Sequence, residues 1–256
     1  MTQPPPVVLC FSGHDPTGGA GVQADIETIT RLGGHACTVV TALTAQDTRN
    51  VQAVWPQPGR DFLRQARLLA ADLPIQAVKI GLLGSAEIAL AVAGLLADEL
   101  AGIPVVLDPV LAAGGGQPLA REDLIEAIRR RLLPWTSVAT PNIPEARCVA
   151  GGVEALDDCA AEWLRLGCGH VLITGTHSDS GEVVNRLYGA GDDCAWAWPR
   201  LPHEYHGSGC TLAAALAAGL ARGLGLVEAC RQAQQFTWDA LAAGFAPGHG
   251  QWLPKR

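Results

Sequence analysis

Short aliphatic runs alternate along this chain with longer segments in which apolar residues recur at helical spacing. Val7–Ser12 reads as a buried strand, and Gly21–Leu32 as a helix with Val22, Ile26 and Ile29 on one face, closed by Gly33-Gly34. Ala36–Ala42 predicts the next strand. Asp61–Leu73 predicts a helix stopped at Pro74, Ala77–Ile80 a strand, and Ser85 the cap of a helix that runs to about Leu100. Pro104–Leu107 is a strand ending at Asp108, and Arg121–Leu133 a helix with Leu124, Ile128 and Leu132 on one face, ended by Pro134. Ser137–Thr140 is again a strand, Pro144–Val149 a short helix, Ala155–Leu166 a longer one, and His170–Thr174 a strand. The texture then changes: Val183–Tyr188 and Cys194–Trp198, joined by the turn-rich Gly189–Asp193, predict a β-hairpin. Cys210–Arg222 and Leu226–Gly244 are the last two helices.

Repeated strand–helix units imply an α/β fold of three layers, α/β/α, around a mostly parallel sheet, with a small hairpin near 183–198. Such sheets bind ligands beyond the carboxyl ends of their strands. The polar and glycine-rich clusters fall there: 12–21, 44–48, 81–84, 108–116 and 141–145. No linker or internal repeat interrupts the pattern, so 1–256 reads as one domain.

Of the 256 residues, 48% are hydrophobic and 17% charged, which permits a sizeable core and argues against disorder. The net charge of −7, with arginines scattered rather than gathered in a stripe, leaves no nucleic-acid footprint. No run has the length and purity of a membrane span, and Met1–Gly13 lacks the basic region of a secretory signal. The eight cysteines show neither Cys-x-x-Cys nor metal-ligand spacing. These features predict a soluble, cytoplasmic protein with reduced thiols.

The most informative stretch is His206-Gly207-Ser208-Gly209-Cys210-Thr211, which opens the Ala-rich helix. A glycine turn at a helix start gathers free N–H groups and the positive end of the helix dipole at one spot, an anion site. Cys210 in that first turn is either a thiol with a lowered pKa or a small buried hydrophobe. Asp25 is either aimed at the loop 13–21 or an ordinary first-turn carboxylate, and Gln46 is either a ring-binding amide or a turn residue. Asp108, Asn142 and Glu145 offer oxygen ligands suited to Mg²⁺ at two neighbouring strand ends. Equally, Asn142 and Glu145 have the spacing of a helix cap and its capping-box partner.

Taken together, Asp15-Pro16-Thr17-Gly18-Gly19-Ala20-Gly21, Thr44-Ala45-Gln46, Lys79-Ile80-Gly81-Leu82, Asp108-Pro109-Val110, Thr140-Pro141-Asn142-Ile143-Pro144-Glu145 and Gly207-Ser208-Gly209-Cys210 resemble the hydroxymethylpyrimidine/phosphomethylpyrimidine kinases of the ribokinase-like superfamily. The resemblance implies ATP- and Mg²⁺-dependent phosphorylation of 4-amino-5-hydroxymethyl-2-methylpyrimidine and of its monophosphate, for thiamine synthesis. It also implies a homodimer. By the same resemblance Gly13, Asp25, Gln46, Leu82 and Val110 bind the pyrimidine, and Gly207, Ser208, Gly209 and Cys210 form the catalytic anion hole. Asn142, Thr174, Gly175 and Thr211 are assigned to the nucleotide, and Asp108 and Glu145 to the metal.

Two positions depart from the family's pattern. Thr174 stands where many relatives carry a lysine, and the loop Ala112–Gly116 lacks another. The expectation is that the backbone cradle, Mg²⁺ and His177 compensate, with the second phosphorylation the more affected. Pyridoxal kinase activity and a non-catalytic pyrimidine-binding role are the alternatives.

Overall fold

Strand β1 (Val7–His14) alternates its side chains between two apolar cores: Val7, Leu9 and Phe11 enter one, Val8 and Cys10 the other. That division is the period-two geometry of a strand buried on both faces. In the computed structural model, which describes residues 4–114, 116–176, 181–191 and 193–256, the same division organises every central strand.

The chain continues through α1 (Gly21–Arg31), β2 (His35–Gln46), β3 (Val51–Pro56), α2 (Gly59–Asp72), β4 (Ile75–Ile80), α3 (Ala86–Ala97), β5 (Val105–Leu107) and α4 (Glu122–Ala127). It then runs through β6 (Val138–Ala139), α5 (Ile143–Val149), α6 (Leu156–Arg165), β7 (His170–Ile173), β8 (Glu182–Gly189), β9 (Cys194–Pro199), α7 (Ser208–Ala221) and α8 (Leu226–Ala242). Among the described residues one nine-stranded sheet has the order β3-β2-β1-β4-β5-β6-β7-β8-β9. The strands from β2 to β7 in that order pair in parallel, and β3, β8 and β9 add antiparallel margins. Helices α2 to α6 cover one face through Phe62, Ile88, Leu124, Ala146 and Trp163. Helices α1, α7 and α8 cover the other through Ile29, Leu212, Leu216 and Ala233. The predicted three-layer α/β/α architecture and the hairpin of β8 and β9 are present.

Three elements differ from the sequence expectation. Strand β3 was not anticipated: its run Val-Gln-Ala-Val-Trp-Pro has no clean alternation, because an edge strand carries only part of its surface inward. The predicted helix 121–133 is regular only through Ala127. It then widens into a π turn at Ile128–Leu132 and tightens into a 3₁₀ turn at Leu133–Trp135. Pro134 lacks an N–H and its ring crowds the preceding turn, so a regular ladder cannot run up to it. Helix α7 starts two residues earlier than expected, at Ser208, with Gly207 as its N-cap.

Helix α7 is the element that brings the anion-binding turn to the sheet. Ala213 to Ala218 are buried on nearly every side, and α7 packs on β1, β4 and β5 as well as on α1 and α8. Only small side chains permit that approach. Ala214 has no exposed surface, so Ala214→Leu must displace neighbours and should lower stability by about 1–3 kcal/mol. Thermal unfolding measures the effect, and an unchanged midpoint would show slack packing at this layer.

Candidate active site

Strands β1, β2, β4, β5, β6 and β7 end on one edge of the sheet, and there the loops carrying the predicted site converge. Beneath them lies a buried charged group. Lys79, in β4, points into the layer between sheet and helices without any exposed surface. Its Nζ lies 2.8 Å from Asp25 Oδ1 and 3.1 Å from Oδ2, and donates to Ser12 Oγ at 3.0 Å. Ser12 Oγ donates in turn to Asp25 Oδ2 at 2.6 Å. Burial disfavours the Lys79 charge, but the charges of Asp25, Cys210 and Asp108 hold its pKa above the usual lysine value.

Asp25 therefore does not open into a cavity. Both of its oxygens are engaged by Lys79 and Ser12, and the residue is fully buried. In this arrangement Asp25 ties α1 to β1 and β4 through Ser12 and Lys79. Lys79 is the residue that sequence reasoning passed over. A lysine inside Ala77–Ile80, in phase with the buried face, was the signal that a carboxylate must oppose it.

Above this pair stand the acids. Asp108, at the end of β5, is buried, and its Oδ2 has no hydrogen-bond partner among the described residues. Burial is the main cause raising its carboxyl, with Asp25 adding, to about 6, against the opposing charge of Lys79 and a hydrogen bond from Cys210. Glu145 completes a capping box with Asn142: Asn142 Oδ1 accepts from the Glu145 amide at 2.9 Å, and Glu145 Oε2 accepts from the Asn142 amide at 3.0 Å. Its Oε1 accepts from the Leu111 amide at 3.2 Å. Burial and then the facing charge of Asp108 push Glu145 up to about 8. Two carboxyl groups forced up in this way suit a hard cation that would relieve both, with the free Asp108 Oδ2 as the available ligand. Among the described residues no group of three or more metal-ligating side chains gathers.

The glycine turn sits against Asp108. Gly207 adopts a left-handed conformation, φ +81°, and a methyl group there would overlap the Gly19 carbonyl, so only glycine fits. A methyl on Gly209 would lie 3.4 Å from Asp108 Oδ2 and 3.6 Å from Oδ1. The amides of Ser208, Gly209 and Cys210 precede the first helical bond, from the Thr211 amide to Gly207 O. Cys210 shows the reverse of the lowered pKa expected at a helix start. Burial raises its thiol to about 11, Asp108 and Asp25 add to this, and Lys79 and the Gly21 amide do not offset them.

The loop 15–21 is held to the same turn. Asp15 Oδ2 meets His206 Nε2 at 2.9 Å and accepts from the Ala20 amide at 2.9 Å, while its Oδ1 accepts from the Thr17 amide at 2.8 Å. Burial opposes the Asp15 charge, yet the bonds from His206 and Thr17 keep its carboxyl below the usual value. A cavity of about 390 Å³ lies beside this loop, lined by Pro16, Thr17, Gln46, Asp47, Thr48, Arg49, Gly248 and His249. Gln46 Nε2 donates to Thr44 Oγ1 at 2.9 Å, which fixes the amide at the cavity wall. Gly13 is buried under Leu82, whose Cδ2 a methyl on Gly13 would crowd at 2.8 Å. Val110 is half-buried just past Asp108, with its amide bonded to Asp108 O at 2.9 Å.

The four residues assigned to a nucleotide have partners within the chain. Thr211 Oγ1 donates to Gly207 O at 2.8 Å, Thr174 N donates to Pro141 O at 2.9 Å, and the Gly175 amide donates to Asn185 Oδ1 at 3.0 Å. Asn142 gives its side-chain oxygen to the cap. His177, expected to compensate for Thr174, lies outside the described residues, as does Gly115 of the Ala112–Gly116 loop.

Residues 15–254 match the family model described as phosphomethylpyrimidine kinase. A Streptomyces coelicolor hydroxymethylpyrimidine/phosphomethylpyrimidine kinase is 41% identical over 96% of this chain and 92% of its own. A Geobacter sulfurreducens thiamine biosynthesis bifunctional protein, ThiED, is 38% identical over 95% of this chain, which spans 51% of that longer protein. Among solved structures, an ADP complex of Bacillus subtilis pyridoxal kinase superposes with a TM-score of 0.89 at 28% identity, over 98% of this chain and 97% of that one.

Two predictions follow from the buried charges. Asp25→Ala leaves Lys79 unpaired in the interior and should cost about 3–5 kcal/mol, whereas replacing both partners by Asp25→Leu and Lys79→Met should recover most of the loss. Urea unfolding of the three variants tests this, and equal damage in the double variant would show that the pair does more than neutralise itself. Asp108 titrates at about 6 in the fold, above its ordinary value of 3.8. Its ionisation therefore opposes folding, and the associated stability is lost as pH rises through the folded pKa. In EDTA, the thermal midpoint of Asp108→Asn should gain on wild type progressively between about pH 4 and 6 and level off above that, and a pH-independent difference would refute the assignment.

Proposed function

The chain belongs to the phosphomethylpyrimidine kinase family, and from that premise we propose that it phosphorylates 4-amino-5-hydroxymethyl-2-methylpyrimidine and then its monophosphate, for thiamine synthesis. The observation that carries the reading is the glycine turn of α7 set against Asp108 at the strand ends. When bound, ATP with Mg²⁺ supplies the transferable phosphoryl group and the cation that neutralises its charge. Phosphoryl transfer asks little covalent chemistry of a protein; it asks for position and for donors aimed at developing charge.

On this reading, the amides of Ser208, Gly209 and Cys210 receive the phosphoryl oxygens at the start of α7. Asp108, with its free Oδ2, and Glu145 beside it would hold the cation. Gln46 orients the aminopyrimidine through donor and acceptor together, and Leu82 over Gly13 with Val110 supplies apolar contact. Cys210, with its thiol at about 11, stays protonated near neutral pH and acts as a hydrogen-bond donor to Asp108. Asp25 acts through Lys79 and not on the ring. The chain would work as one kinase domain in the cytoplasm, as a homodimer; among the described residues no disulfide joins the cysteines. The exposed cross-strand pair Leu43 and Trp55 is the surface a second copy would cover.

Pyridoxal phosphorylation is the second reading, favoured by the overlay on the pyridoxal kinase. Identity is higher toward the pyrimidine kinase, 41% against 28%, which ranks the pyrimidine first. ADP release with ATP and Mg²⁺ should be seen with hydroxymethylpyrimidine and with its monophosphate. Turnover of pyridoxal alone would reverse the ranking, and thermal stabilisation by the pyrimidine without ADP release would leave a binding protein. Gly209→Ala keeps an ordinary backbone and meets Asp108 only at van der Waals distance. It should lower kcat about 10²-fold by crowding the donors, with an unchanged thermal midpoint. Full activity in this variant would move the phosphates elsewhere.

A further inference from the structure

Arg256 lies far along the chain from both glycine turns, 15–21 and 207–210, yet its side chain is only 1% exposed and reaches the back of the anion cradle. Its Nε donates to Thr211 Oγ1 at 2.9 Å, its Nη1 to Glu27 Oε2 at 3.1 Å, and its Nη2 to the Gly19 carbonyl at 2.5 Å. Thr211 Oγ1 passes the contact on to Gly207 O, the N-cap carbonyl of α7. A methyl group on Gly207 would lie 2.9 Å from Arg256 Nη2 and would overlap Gly19 O. The guanidinium therefore closes the junction at which the two glycine turns touch.

Two physical consequences follow. A planar fork of fixed N–H directions sets the separation of the turns more sharply than a single flexible bond would. The guanidinium also brings a positive charge of the same sign as the start of α7. Its direct carboxylate contact is Glu27, which is 42% exposed, and Asp15, held ionised, lies in the same loop as Gly19. We propose that Arg256 is a positioning residue for phosphoryl transfer, which locks the α7 cap onto the 15–21 loop and adds to the field that receives the phosphoryl oxygens. This inference rests on the kinase reading above.

The experiment is steady-state kinetics of Arg256→Lys, Arg256→Met and Arg256→Ala beside wild type, with thermal midpoints measured in parallel. Misplacement of the cradle should lower kcat by about 10²-fold in Arg256→Met and less in Arg256→Lys, which keeps the charge but loses the fork. The pyrimidine KM should stay within about twofold, because ring contacts lie elsewhere. Millimolar guanidinium should restore kcat to Arg256→Ala in a saturable way. An undiminished kcat, or a loss that follows the thermal midpoint and resists guanidinium, would overturn the inference and leave Arg256 a packing residue. Where Arg256→Ala does not fold, the split between kcat and KM in Arg256→Lys decides the same question. A wild type without turnover on any of the three substrates would instead sink the kinase reading.

Discussion

The buried ion pair between Asp25 and Lys79 is the constraint around which this site is arranged. An isolated ammonium in the interior would carry a penalty of several kcal/mol, so β4 can bring Lys79 inward only where α1 delivers a carboxylate. Ser12 of β1 supplies the third member, joining both charges by hydrogen bonds. Two strands and one helix are thereby fixed in register at the layer directly beneath the strand ends. Gly81 shows how tight that layer is, since a methyl group there would lie 2.7 Å from Lys79 Nζ and 3.0 Å from Ser12 Oγ. The loop 13–21, which links β1 to α1, inherits its position from this triad.

The same cation sets the electrostatics above it. Its charge lowers the carboxyl of Asp108, which burial still holds near 6. Glu145, pushed up to about 8 by burial and by the charge of Asp108, is mostly protonated at neutral pH. The fold thus holds two neighbouring acids whose joint ionisation is unfavourable. Such strain is informative: stability surrendered at one place marks where a charged guest would restore it. Arg256 is a second buried cation at the α7 turn, set behind the cradle against Thr211 and Gly19.

Much of this was legible in the sequence, for definite physical reasons. Val7–Ser12, Ala77–Ile80, Pro104–Leu107 and His170–Thr174 are short and mostly apolar, as strands covered on both faces tend to be, with Lys79 the charged exception. The glycine turn before α7 was legible because left-handed backbone at Gly207 requires that residue. What escaped the reading depends on contacts between distant segments. Lys79 and Asp25 are far apart in the chain, and each alone has an ordinary explanation. Arg256 meets Gly19 and Thr211 only after the fold closes. Strand β3 was hidden because edge strands lack a strong burial pattern. The internal hydrogen bonds of Asn142, Thr174, Gly175 and Thr211, to the Glu145 amide, Pro141, Asn185 and Gly207, likewise form only in the fold.

A lysine at position 174, which the family resemblance leads one to expect, would act by different physics from the backbone cradle. A lysine near phosphates contributes a mobile point charge, which must be ordered on binding. Backbone amides at a helix start cost no such ordering, since the helix already fixes them. In this chain the turn 207–210 is held from two sides: Asp15 through His206, and Gly19 and Thr211 through Arg256. A cradle fixed so firmly depends less on flexible cations, such as those missing at Thr174 and in the loop Ala112–Gly116. The balance shifts from charges that move to dipoles that do not, and for a reaction limited by placement that exchange favours the rigid partner.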